Sequence, residues 1–173
     1  MSVPDVVGRL PFLDRTPGQI GMLVEDLGNA MVTWSAVLGR DDWQAYTYDA
    51  HVLRDARYHG TPSNFGMHLA LIGSSPQLKL IQPAAGPNVY ADWIAAHGYG
   101  LHHVGFFVPS IAEAVSAASV AGYEPIQSAR GYGVDGDGGF AYYDTTATLG
   151  LIAELIEVPT IRRPNEIRRW LPE

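Results

Sequence analysis

An internal repeat constrains this chain more than any other feature. The segment QIGMLVEDLGNA, starting at Gln19, lines up with HVGFFVPSIAEA, starting at His103, 84 residues further on. Gly21 and Gly105, Val24 and Val108, and Ala30 and Ala114 stay in step. Each segment opens as a short apolar β run. It is then broken by a Glu-Asp or Pro-Ser pair and continues with helical periodicity over 27–38 or 111–121. Asp26 and Ser110 read as N-caps, and Gly39 and Gly122 as stops. A second pair of segments, LKLIQP at 78–83 and AELIEVP at 153–159, keeps Leu80 with Leu155 and Ile81 with Ile156. Strand-like runs at 42–50, 65–72, 123–129 and 140–143 complete both halves as β-α-β-β-β. A period this long is a duplicated half-domain, not a solenoid repeat. The expected fold is therefore α+β: two βαβββ modules forming a curled mixed sheet around a shared cleft.

The remaining segments divide around the repeat. Residues 1–16 read as an N-terminal arm, 17–83 as the first module and 84–102 as a bridge with a short helix near 90–97. Residues 103–159 read as the second module, and 160–173 as a C-terminal tail with four of the chain's eleven basic residues. That tail reads as a solvated face, a partner for acidic groups or an anion-binding edge. The loop RGYGVDGDGG at 130–139, with five glycines, reads as a mobile flap over the cleft and is a poor match to a calcium loop.

Composition removes several chemistries. The net charge is −7, which disfavours a nucleic-acid partner because phosphate neutralisation needs a basic surface. The absence of cysteine excludes disulfides, thiolate-bound metals and Cys nucleophiles. No apolar run is long enough to span a membrane, and Asp5 and two prolines interrupt the N-terminus where a secretory signal would be apolar. The expectation is a cytoplasmic protein without a membrane partner. Walker, dinucleotide-binding and Gly-x-Ser-x-Gly patterns are missing, which removes ATP, NAD and serine-hydrolase readings.

The duplication with Gln19 and His103 opening equivalent strands, and with Glu154 in the last strand, resembles the vicinal oxygen chelate superfamily. That group includes glyoxalase I, methylmalonyl-CoA epimerase, extradiol dioxygenases, and the fosfomycin- and bleomycin-resistance proteins. The stretches LKLIQP, VYADWIAAHG, GLHHVGFFV and GLIAELIEVP look most like methylmalonyl-CoA epimerase. The resemblance implies one divalent metal held by four inward residues, which fall here on Gln19, Lys79, His103 and Glu154. It also implies a homodimer. Lys79 departs from the pattern, because an ammonium has three donors and no acceptor.

Strand parity alone sets Lys79 against Leu78 and Leu80, and Glu154 against Ala153 and Leu155. Lys79 and Glu154 then point into the concave side and should pair. Three readings stay open: a structural ion pair, a catalytic Lys79 in place of the metal, or a metal kept by Gln19, His103 and Glu154 alone. The expected activity is that of a small-molecule enzyme of epimerase, isomerase or lyase type acting on a carbonyl compound through an enolate. Glu154 would move the proton, Lys79 or a metal would be the electrophile, and His103 and Gln19 would position the substrate oxygen. The alternative is a non-catalytic small-molecule binding protein resembling the drug-sequestering members. His68 and His59 are candidates for substrate contact, His59 as a mobile acid or base. Tyr143, with Tyr132, Phe140 and Tyr142, is a candidate lining of a pocket for a cyclic or aromatic substrate. His102 is expected on the strand face opposite His103.

Overall fold

The computed structural model describes residues 16–170, so the expected N-terminal arm lies, apart from Thr16, outside the described residues. Its centre is an antiparallel pair of strands, β1 (Gln19–Leu23) and β7 (Gly100–Phe107). On one side, β1 pairs in parallel with β6 (Gln77–Pro83). Beyond it lie β5 (Met67–Ile72) and β2 (Gln44–Tyr48). On the other side, β7 pairs in parallel with β10 (Ile152–Glu157). Beyond that lie β9 (Gly139–Tyr143) and β8 (Gln127–Arg130). The order β2-β5-β6-β1-β7-β10-β9-β8 repeats the same wiring on both sides of the centre, so the two βαβββ modules form one curled sheet.

Each module places its helix on the convex face. Helix α1 (Leu27–Leu38) starts where the Asp26 carboxylate accepts from Asn29 N, and α3 (Ile111–Val120) where Ser110 accepts from Glu113 N. The expected caps are the caps observed. Leu27 and Met31 of α1 pack on Ala70, Ile72 and Leu80, while Ile111 and Ala118 of α3 pack on Ala141, Tyr143, Ala153 and Leu155. Helix α2 (Val89–His97) is the bridge helix, and its Tyr90 is fully buried in the concave cluster with Tyr48, Phe65, Ile81, Phe140 and Tyr142. A single turn, α4 (Thr146–Leu149), precedes β10. Among the described residues no helix is long and apolar enough to cross a membrane.

Three features depart from the sequence reading. A hairpin of β3 (Arg54–Tyr58) and β4 (Thr61–Pro62) leaves the first module and pairs with β8 of the second. Its two-residue turn holds His59 and Gly60 at φ 47° and 77°, the positive pair that a tight hairpin needs. The polar run RDARY gives no alternation to announce a strand. The loop 131–138 is also tied down: Val134 N donates to Ile161 O, Asp137 accepts from Thr160 N, and Tyr132 OH donates to Glu157 O at 2.6 Å. It is a fastened cover, because its glycines make the turns that bring those groups to the end of β10 and the segment that follows it. The tail, finally, is not a free charged face. Asn165 joins Ala45 N and Trp43 O, and Ile167 and Trp170 enter the apolar cluster under α1.

The central pair explains the repeat's glycines. The register sets Gln19 against Gly105 and His103 against Gly21, so each strand's glycine makes room for the other strand's large side chain. A Cβ on Gly21 would lie 1.8 Å from the His103 ring, whereas one on Gly105 would first meet the end of the Ile156 side chain at 2.6 Å. Gly21→Ala is therefore expected to destabilise the fold by about 3 kcal/mol and Gly105→Ala by about 1 kcal/mol. Urea unfolding of the two variants checks the order.

Candidate functional site

Four strands meeting at the centre of the sheet converge their concave side chains. Lys79 on β6 and Glu154 on β10 come from opposite modules, and Lys79 Nζ lies 2.8 and 3.0 Å from the two carboxylate oxygens. The third ammonium proton goes to Tyr142 OH at 3.1 Å, so all three donors have acceptors. Tyr142 OH is in turn 3.1 Å from Tyr90 OH of the bridge helix. On the other flank, His103 Nε2 is 3.0 Å from Glu154 Oε2, although poorly aligned for a full hydrogen bond. Glu154 and His103 are 0% exposed and Lys79 is 7% exposed.

Burial governs the electrostatics. It pushes the Lys79 ammonium below its ordinary value, and the charge and hydrogen bonds of Glu154 pull it back up. It would raise Glu154, but Lys79 and His103 outweigh it and hold the carboxyl down at about 2. Burial also raises the Tyr142 and Tyr90 hydroxyls, so both stay protonated. The pair is thus a buried ammonium and carboxylate.

His102 breaks the expected alternation. Pairing runs Gly21 to His103 but Met22 to Leu101, so His102 is the extra residue of a β-bulge. The bulge turns it to the concave side, where its Nδ1 lies 2.9 Å from His103 Nδ1 and its ring packs edge-on against Tyr90 and Trp93. Burial, followed by the neighbouring His103, lowers its pKa to about 2.

The other candidates are dispersed. Gln19 faces the cleft, donates to Gln77 Oε1 at 2.7 Å and leaves its own carbonyl oxygen buried without a partner. His68 does not project into the cleft. It shares the convex face with Ala70 and Ile72, bonds Thr47 at 3.0 Å and packs on Trp170 of the tail. Tyr143 likewise faces α3, since parity on β9 gives the concave side to Phe140 and Tyr142. His59 sits in the hairpin turn, 3.8 Å from Asp92 Oδ2, at the rim of a recess beyond His102 and away from Glu154. Tyr90 and the function of Tyr142 as the third acceptor of Lys79 escaped the sequence reading. Aromatics at strand spacing signal core, and only the fold brings these hydroxyls to the ammonium. The void beside the pair, lined by Gln19, Lys79, Glu154, Tyr48, Tyr132 and Arg162, measures about 30 Å³. That is room for one water.

The family model described as Glyoxalase/Bleomycin resistance protein/Dioxygenase superfamily matches residues 18–143. The chain belongs to this superfamily. Among solved structures it is similar to Streptomyces coelicolor methylmalonyl-CoA epimerase in complex with 2-nitronate-propionyl-CoA, with a TM-score of 0.57 and 17% identity over 86% of this chain and 98% of that one. It is also similar to methylmalonyl-CoA epimerase from Mycobacterium tuberculosis, at 0.53 and 18% identity over 86% and 88%. A hypothetical protein from Bacillus halodurans is similar too, at 0.53 and 18% identity over 86% and 98%. No curated protein matches the chain in sequence.

The divalent metal implied by the superfamily does not fit the residues present. Gln19, His103 and Glu154 bring donors, but the Lys79 ammonium sits on both oxygens of the one carboxylate and adds its positive charge there. Among the described residues no three His, Asp or Glu side chains converge as metal ligands.

Two outcomes follow for stability. Lys79→Met strands a buried carboxylate and is expected to cost about 3–5 kcal/mol, while Lys79→Met combined with Glu154→Leu costs less than either single change. A double-mutant cycle in urea reads the coupling. With falling pH, the unfolded chain protonates His102 from about 6.5 and Glu154 from about 4.5, whereas the fold holds both near 2. Stability therefore drops through these windows, with each proton contributing a slope of about 1.4 kcal/mol per pH unit. His102→Asn is expected to remove one proton's slope above pH 4.5, read from urea midpoints across pH.

Proposed function

We propose that the protein is a small-molecule enzyme of the epimerase, isomerase or lyase kind, acting on a carbonyl compound through an enolate without a metal. The observation that carries this reading is the buried Lys79–Glu154 pair at the junction of the two modules. An ion pair in this position is a poor way to stabilise a fold, since well-packed apolar side chains of similar volume serve as well or better. Its retention beside a void in the cleft favours chemistry.

The pair carries the two functions that the reaction needs. A substrate carbonyl oxygen that accepts from Lys79 Nζ draws the ammonium away from Glu154. The carboxylate then loses its strongest stabilising charge, burial raises its pKa, and it becomes a competent base for the adjacent C–H. As that C–H bond breaks, the proton goes to Glu154 and the electron pair moves onto the carbonyl oxygen, where the ammonium stabilises the enolate. Return of the proton to carbon, or expulsion of a leaving group, completes the turnover. Gln19 offers its unpartnered carbonyl oxygen to a donor on the substrate, and His103 holds Glu154 Oε2 in place. The ligand of the Streptomyces coelicolor structure carries a nitronate, a planar anion with the charge pattern of an enolate. Because the void has room for only about one water, a substrate must displace Tyr132 and Arg162, the lining side chains carried by the loop and tail, not by strands.

The test is exchange of the proton beside the carbonyl into D₂O, followed by ¹H NMR over a panel of acyl thioesters, 2-oxoacids and cyclic ketones. The wild type is expected to exchange at least one class. Glu154→Gln and Lys79→Met are each expected to slow that exchange by about 100-fold or more. Full exchange by Glu154→Gln overturns the mechanism. Saturable binding with no exchange by the wild type replaces it with a sequestering function.

A further inference from the structure

The void beside Lys79 and Glu154 has a second cation on its wall. Arg162 of the tail lines it together with Gln19, Tyr48 and Tyr132. Its guanidinium carbon lies over the Tyr46 ring, 5.8 Å from the centroid, and both Tyr46 and Tyr48 belong to the concave cluster. The charge itself, and not the backbone alone, is therefore inside the cleft. It reaches Lys79: burial lowers that ammonium, and the Arg162 charge adds to the lowering.

No carboxylate answers this charge. Among the described residues Arg40, Arg130 and Arg169 have acidic partners in Asp42, Asp55 and Glu166, and Arg162 has none. Lys79 and Glu154 cancel each other, so the groups lining the void leave one positive charge over, in a chain whose net charge is −7. Stacking on a ring occupies the face of a guanidinium and leaves its five in-plane N–H donors at the edge. The backbone that carries Arg162 is held on both sides. Val134 N donates to Ile161 O and Arg162 pairs with Gly133, while Asn165 bonds Ala45 N and Trp43 O. The side chain thus swings from a fixed root, which suits a group that moves aside to admit a ligand and then closes on it.

We propose that the substrate is a short-chain 2-oxoacid, with its carboxylate held by Arg162 and its carbonyl oxygen by Lys79. A planar guanidinium matches a carboxylate through two parallel hydrogen bonds. With those two groups engaged, the C–H beside the carbonyl is left to Glu154, and the alkyl end to Met67, Leu69 and Leu71, the apolar wall of the same void. A cyclic ketone or a neutral ester leaves the guanidinium without a counter-ion. The small size of the void favours the shortest acids, in which the carbonyl adjoins the carboxylate. The assignment rests on the enolate reading for the carbonyl and the C–H, and adds the carboxylate, which that reading does not require.

The experiment titrates the full chain by calorimetry with 2-oxobutanoate and with its uncharged counterpart 2-oxobutanamide, in the wild type, Arg162→Met and Arg162→Lys. The wild type is expected to bind 2-oxobutanoate saturably and the amide about tenfold more weakly or worse. Arg162→Met is expected to weaken 2-oxobutanoate by about tenfold or more and to leave the amide unchanged, so that the preference for charge disappears, while Arg162→Lys restores part of it. The proposal is overturned by any of three results: no saturation with 2-oxobutanoate, equal affinity of the wild type for the amide, or unchanged affinity for 2-oxobutanoate in Arg162→Met. Exchange into D₂O is scored separately on the same compounds. Binding through Arg162 with no exchange keeps the carboxylate site and removes the enolate reading. Exchange of neutral ketones at full rate by Arg162→Met, with 2-oxobutanoate no better a substrate of the wild type than they are, keeps the enolate reading and removes the carboxylate site.

Discussion

The Lys79–Glu154 ion pair is the contact on which the centre of this molecule depends. It joins a strand of the first module to a strand of the second across the two central strands, and both charges are buried. Two buried charges are tolerated only when nearly every donor and acceptor around them is matched. The surrounding residues follow from that requirement. Tyr142 takes the third ammonium proton, Tyr90 of the bridge helix supports Tyr142, and His103 faces the second carboxylate oxygen. Gly21 leaves free the space that the His103 ring occupies.

The same requirement shapes the cleft. A curled sheet of two modules encloses a concave face, which here is filled by the bridge helix and by aromatic side chains from both halves. Among the spaces that remain are a small void beside Lys79 and Glu154 and a larger recess beside His102. Between them runs a continuous line of polar atoms from His102 through His103 to Glu154 and Lys79. A change of proton at one end is felt at the other, since each neutral imidazole has a single proton to place.

Much of this was legible in the chain because strand geometry is periodic. Leu78 and Leu80 on either side of Lys79, and Ala153 and Leu155 on either side of Glu154, require both charges to face inward, where only each other can neutralise them. His102 was misread because alternation assumes an unbroken ladder, and one inserted residue reverses every side chain beyond it. His68 stayed open between a substrate contact and a core position for a different reason. Its strand has apolar residues on both faces, so parity alone does not say which face the helices cover. The hairpin at 54–62 pairs with a strand about seventy residues away, and nothing local in RDARY records that partner.

The sequence by itself determined the duplicated architecture, the equivalent strands that open the two modules, the helix caps and the inward pairing of Lys79 with Glu154. These are consequences of local periodicity and of the cost of burying an unpaired charge. Tertiary structure decided the rest: which face His102 and His68 present, that the glycine loop and tail are fastened together, and that the cleft is filled by Tyr90 and its neighbours. Those outcomes depend on bulges, cross-module pairing and side-chain volume. Each is set by contacts between residues far apart in the chain, where no local pattern carries the information.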